Sequence, residues 1–198
     1  MKFSTRELVI LAVFGALWGA VEISLGSLLH VLNVPLSGSV LSAIGLGVAL
    51  TGRLFVPRRG ATLFIGVIAM LLKLFSLGSV VIGPMVGILA EAIIAEIVLS
   101  LFGKPSTLAF ILAGGLGVLW TMVQPFFTGL LIFGQEAASI WSKLLKEGNN
   151  VLGLPLEAVL WIVMGLAGLR LVMGGLAGWL AWKAGLLLRA RSGRIPRE

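Results

Sequence analysis

Six ionisable side chains sit inside or at the edge of long apolar runs: Glu22, Lys73, Glu91, Glu96, Glu157 and Arg170. A charge in such a run is costly in lipid, so it faces a bundle interior or a wet cavity, finds a partner, or serves a solute path. Other chemistry has few residues to draw on. The chain has no Cys, no Asp and no Tyr, and its single His is His30. A nucleophile triad or a His-rich metal site cannot be assembled from that set. No G-x-x-x-x-G-K-[ST] loop is present to cradle a nucleotide. Glu91 and Glu96 could be imagined as an acid–base pair, but five residues apart they point about 140° from one another on a helix. The expectation is a protein that is not an enzyme and takes no cofactor and no metal.

The elements that must position these side chains follow from composition. Hydrophobic residues make up 59% of the 198 residues and charged ones 12%, and the mean hydropathy is +1.11. A soluble domain carries about 25% charged residues to wet its surface. Lipid must replace water over most of this one. Six apolar runs span approximately residues 8–32, 37–56, 61–77, 84–102, 108–133 and 156–182. Each reaches or approaches the roughly 20 residues that cross a hydrocarbon core as helix. Helix is the state that pairs its own backbone in lipid. The 27 glycines then permit close helix contact instead of breaking helices. The first run is too long for a signal peptide and lacks a small-residue cleavage site. The sequence thus predicts an all-α membrane protein, a single domain of six transmembrane helices.

The net charge of +7 reads as topology and not as nucleic-acid binding, because the basic residues lie between runs and at the chain ends. Lys2, Arg6, Arg53, Arg58, Arg59, Lys104, Lys183, Arg189, Arg191, Arg194 and Arg197 fall on one side of a six-span threading; Lys143 and Lys146 fall on the other. The positive-inside rule puts the first set, and both N- and C-termini, in the cytoplasm of a cell-membrane protein.

At about 1.5 Å per residue, Glu22, Lys73, Glu91 and Gln124 lie in the outer half, Glu157 at the outer start of the last span, and Glu96 and Arg170 near the midplane. Pro125 beside Gln124 predicts a kink. Depth matching suggests the ion pairs Lys73–Glu91 and Glu96–Arg170. A second arrangement gathers Glu22, Glu91, Glu157, Lys73 and a neutral His30 around one cavity, with Gln124 also in the outer half and Trp18, Trp120 and Trp161 at similar or slightly deeper levels. Aromatic walls with carboxylates suit a small cationic or heteroaromatic solute. The candidate substrate-binding residues are Trp18, Glu22, Lys73, Glu91, Gln124, Glu157 and Trp161. Between the last two spans, Gln135 to Lys146 places Ile140, Trp141, Leu144 and Leu145 on one helical face. That predicts an interfacial helix or a lid over an outward pocket. Glu147-Gly148-Asn149-Asn150 after it reads as a turn.

The first helix carries Ala12, Ala16 and Ala20 at intervals of four, with Gly15 and Gly19 beside them, and Gly83/Gly87 and Gly174/Gly178 repeat the spacing. Small residues at this spacing let another helix approach closely, inside the bundle or from a partner. In size, six spans, cytoplasmic ends, the Ala12 to Ala20 strip and the basic Arg58-Arg59-Gly60-Ala61 entry into a Gly- and Ala-rich third helix, the chain resembles the substrate-binding S component of an energy-coupling factor (ECF) importer. That resemblance implies capture of a vitamin or similar nutrient from outside. It also implies a complex with a second transmembrane coupling subunit and two ATPase subunits, docked through the Ala strip. A self-sufficient carrier or channel, proton-coupled through Glu22, Glu91 or Glu96, and a purely structural membrane subunit are the alternatives. Convincing internal repeats, common in carriers, are not visible.

Overall fold

The computed structural model describes residues 3–32, 34–75 and 82–191. Among them the chain is entirely helical: α1 (Thr5–Val31), α2 (Ser37–Phe55), α3 (Ala61–Lys73), α4 (Ile82–Phe102), α5 (Thr107–Leu131), α6 (Ala137–Leu152) and α7 (Val159–Arg191). Local chemistry sets the ends. Ser4 and Glu7 form a capping box at α1: the Ser4 amide donates to Glu7 Oε2 at 2.8 Å and the Glu7 amide donates to Ser4 Oγ at 3.3 Å, satisfying two otherwise orphaned donors. Ser106 Oγ caps α5 by accepting from the Ala109 amide. Gly153 closes α6 at φ 67°, a left-handed stop that glycine adopts without strain.

Five helices (α1, α2, α4, α5 and α7) are long and apolar enough to cross a membrane. The expected third span is described only in part. Its described helix, α3, has 13 residues, about 20 Å at the helical rise, short of a hydrocarbon core of about 30 Å. The expected end of that span at Leu77 lies outside the described residues, as do Lys2, Arg194 and Arg197. The flanks of the bundle are apolar, with Val13, Leu17, Leu101, Leu131, Leu160 and Leu187 exposed.

Helix order brings the basic residues together at one end. Arg58 in the α2–α3 turn pairs with Glu7 at the start of α1 at 3.1 Å, and Arg53 at the end of α2 pairs with Glu96 near the end of α4 at 3.5 Å. Phe110 at the start of α5 meets Trp182 near the end of α7, ring centroids 5.1 Å apart. The described beginning and end of the chain therefore share this end of the bundle.

The closest packing is between α5 and α7. A Cβ on Gly174 would collide with the Gly114 carbonyl, and one on Gly178 with that of Phe110. Gly174 and Gly178 thus serve packing inside the bundle. Trp18, fully buried, lies across Gly45 of α2 and reaches Gly66 of α3. Small residues on two neighbouring helices make the seat for one large ring.

Candidate functional site

The intramembrane charges separate into three groups, and none is the pairing that depth matching suggests. Lys73 pairs with Glu22 and not with Glu91. Its Nζ lies 3.4 Å from Glu22 Oε2 and donates to the Glu22 carbonyl at 2.9 Å. The reason is lateral: α3 packs along both α1 and α4, and the Lys73 side chain lies on the α1 face. Glu91 of α4 is buried as well. Glu91 Oε2, Ser42 Oγ and Trp18 Nε1 are enclosed without hydrogen-bond partners.

Glu96 does not reach Arg170. It accepts from the Gly60 amide at 2.7 Å, from the Thr62 amide at 3.0 Å and from Ser100 Oγ at 2.8 Å, with Arg53 alongside. A carboxylate over the first turn of α3 satisfies free N–H groups and the positive helix end at once. Glu96 is an anchor for the α2–α3 turn.

Arg170 is the centre of the third group, at the opposite end of the bundle from the Arg53–Glu96 anchor. Its Nη2 donates to Glu147 Oε2 at 2.7 Å, and its Nε donates to Ser39 Oγ at 3.1 Å and Thr121 Oγ1 at 3.3 Å. Ser39 and Thr121 bond each other at 2.9 Å. The Arg170 side chain is 4% exposed, and its Nη1 is enclosed with no partner. These residues border a cavity of about 470 Å³ between the starts of α2 and α4, the later half of α5, α6 and α7. Polar side chains on the lining include Ser39, Thr121, Gln124, Gln135, Lys143 and Glu147; Met122, Phe126, Phe133 and Leu144 supply apolar wall. A volume in this range suits a small organic molecule.

Gln124 is held at the wall by donating to the Gly83 carbonyl at 2.8 Å, and Gly87 leaves room for its amide. The Gly83/Gly87 spacing is therefore a seat for a polar side chain. Helix α6 forms one side of the cavity through Ile140, Lys143, Leu144 and Glu147. Its apolar face packs inward, with Ile140 and Leu144 buried and Trp141 against Phe126. The turn expected at Glu147 to Asn150 is corrected, because α6 runs through to Leu152. Gly148 lies flush against Ile162 and Leu166, and Glu147 is drawn to Arg170. Tertiary contacts on this helix outweigh the local preference of Gly-Asn-Asn for a turn.

Of the seven residues expected to bind substrate, only Gln124 lines this cavity. Trp18, Glu22, Lys73 and Glu91 belong to the buried group among α1, α2, α3 and α4. Glu157 is exposed and Trp161 is 67% exposed on the flank. The side chain of His30 lies outside the described residues. Sequence reasoning missed Ser39, Thr121, Lys143 and Glu147 as wall residues. Arg170 was the signal available, since a buried arginine needs several acceptors and the nearest polar residues on other helices supply them. The expected docking strip divides in two. Ala12, Ala16 and Ala20 are exposed on the flank, while a Cβ on Gly15 or Gly19 would meet Ile68 or Leu72 of α3. Compared with protein-family models, curated proteins and solved structures, the chain matches none.

Proposed function

We propose that this protein is a solute-capture subunit of a membrane importer of the energy-coupling factor type, lodged in the cell membrane with the Arg53–Glu96 end cytoplasmic and the Arg170 cavity facing out. The observation that carries this reading is the cavity, walled by an amphipathic helix at the end opposite the basic cluster and bordered by a buried arginine. The excess of Lys and Arg at the other end supports the orientation under the positive-inside rule. Under this reading the cargo is a vitamin-sized nutrient, admitted past α6. Transport then depends on a second transmembrane coupling subunit and two ATPase subunits, since the sequence carries no phosphate-cradling motif of its own. The exposed Ala12, Ala16 and Ala20 strip supplies a smooth helix face for the coupling subunit.

Purified protein in liposomes tests this. The expected result is saturable solute binding with no accumulation, whether or not a proton gradient is imposed. Concentrative uptake by the lone protein would replace this reading with a proton-coupled carrier, which Glu91 favours through its enclosed and unpartnered Oε2.

A further inference from the structure

We infer that the Arg170 cavity selects a small organic monocarboxylate, an inference that rests on the solute-capture reading and names its substrate class. The charges bordering the cavity are Arg170 and Lys143 against Glu147. Two cations and one carboxylate leave one positive charge uncompensated in a largely apolar wall. Glu147 engages one edge of the guanidinium through Nη2, and Ser39 and Thr121 hold Nε. Nη1 is left with no acceptor although the side chain is almost wholly buried. An enclosed charged donor without a partner is expensive. Held on two sides at the cavity wall, the guanidinium presents a fixed positive charge to an anion in the cavity, with little side-chain entropy left to lose. Lys143, exposed on α6, supplies a second, movable cation at the cavity edge.

The rest of the wall describes the remainder of the solute. Met122, Phe126, Phe133 and Leu144 suit an apolar or flat body, and the Gln124 and Gln135 amides offer neutral hydrogen bonds. Glu147 sets the limit on charge. A dianion would face its carboxylate with only one spare positive charge, and a cation would meet Arg170 and Lys143. A single carboxylate on a compact body is the composition that balances the site.

The carboxylate could arrive on a water-soluble acid or on a membrane fatty acid. The test uses the full chain in detergent with three probes of one shape, indole-3-acetate, indole-3-acetamide and tryptamine, together with oleate. Indole-3-acetate should bind at least ten-fold more tightly than the amide or the amine, the factor one charge-assisted hydrogen bond supplies. The double variant Arg170→Gln/Glu147→Gln removes both charges without stranding either, and should cut that preference to the roughly two- to five-fold that Lys143 supplies. Lys143→Gln, at an exposed position, should weaken indole-3-acetate binding about two- to five-fold. Oleate displacing indole-3-acetate, with the same loss in the double variant, supports the carboxylate site and assigns its source to the membrane. Equal or tighter binding of the amide or the amine, a preference of about ten-fold or more that survives in the double variant, or no binding of any acid overturns the inference. A co-purifying solute without an acidic group would also overturn it, while leaving solute capture standing.

Discussion

Arg170 of α7 and Glu147 of α6 meet at 2.7 Å, although the sequence between them contains the loop that reverses the chain. This contact ties the helix that walls the cavity to the longest helix of the bundle. It also explains why α6 continues through Gly148-Asn149-Asn150. The guanidinium is buried while the Glu147 carboxylate is about a third exposed (4% against 32%), so losing the acid strands a cation that cannot move into water.

Glu147→Gln should therefore destabilise the apo protein by about 2 kcal/mol, a partly exposed pair being worth less than the 3–5 kcal/mol of a fully buried one. Combining it with Arg170→Met should restore much of that loss. The midpoint of thermal or denaturant unfolding in detergent for the two singles and the double gives the coupling directly. Additive losses would show that the pair contributes nothing.

The Lys73–Glu22 pair gives a second prediction. Lys73 keeps the Glu22 carbonyl as an acceptor in Glu22→Gln, but loses its counter-charge in a buried site. Apo stability should fall by about 2–4 kcal/mol, and affinity for the solute should change less than three-fold, because Glu22 lies outside the cavity lining. A large loss of affinity with unchanged stability would return Glu22 to the binding site.

How far the sequence revealed these arrangements depends on what each one requires. Helix and membrane-spanning length follow from hydropathy, which is local, and α1, α2, α4, α5 and α7 were legible on that basis. Ion-pair partners require the rotation of each helix about its axis as well as its depth. Depth alone put Lys73 with Glu91 and Glu96 with Arg170, whereas the neighbouring faces bring Lys73 to Glu22 and Glu96 to the first turn of α3. The Ala and Gly positions of α1 looked like one strip. They face apart, because Gly15 and Gly19 lie one residue off the Ala series, a rotation of about 100° on a helix. The cavity depended on α6 folding back over α2 and α5, a long-range event; its legible hints were the amphipathic Gln135 to Lys146 segment, read as an interfacial helix or lid, with Gln124 and Arg170.

That division of α1 makes a third prediction. Ala16→Leu should leave the apo unfolding midpoint within about 0.5 kcal/mol of wild type, as expected for an exposed site. Gly15→Leu should lower it by about 1–3 kcal/mol, because its Cβ would lie 2.6 Å from Ile68 Cβ. Ala16→Leu should nevertheless reduce co-purification with a coupling subunit while solute binding persists. Loss of solute binding in Ala16→Leu would place the strip in the bundle interior.

A glycine comparison isolates the α5–α7 contact. Gly174→Ala forces a methyl against the Gly114 carbonyl and should cost about 1–3 kcal/mol. Gly168→Ala, on the same helix with nothing within 4 Å of the added carbon, should change stability by less than about 0.5 kcal/mol. Equal effects in the two variants would mean that helix propensity and not close contact governs these positions.

The central claim is that the cavity between α2, α4, α5, α6 and α7 holds a small solute. Gly38 lines it at the start of α2, and a Cβ added there meets nothing within 4 Å, so Gly38→Trp starts a bulky side chain at the cavity edge without a backbone clash. Native mass spectrometry of the gently purified wild-type chain should show a bound small molecule released on mild activation, at up to one per chain. The same measurement on Gly38→Trp, with its unfolding midpoint preserved, should show the chain alone. An identical adduct on both forms, or none on the wild type after growth in rich medium, would contradict the assignment of this cavity as the capture site.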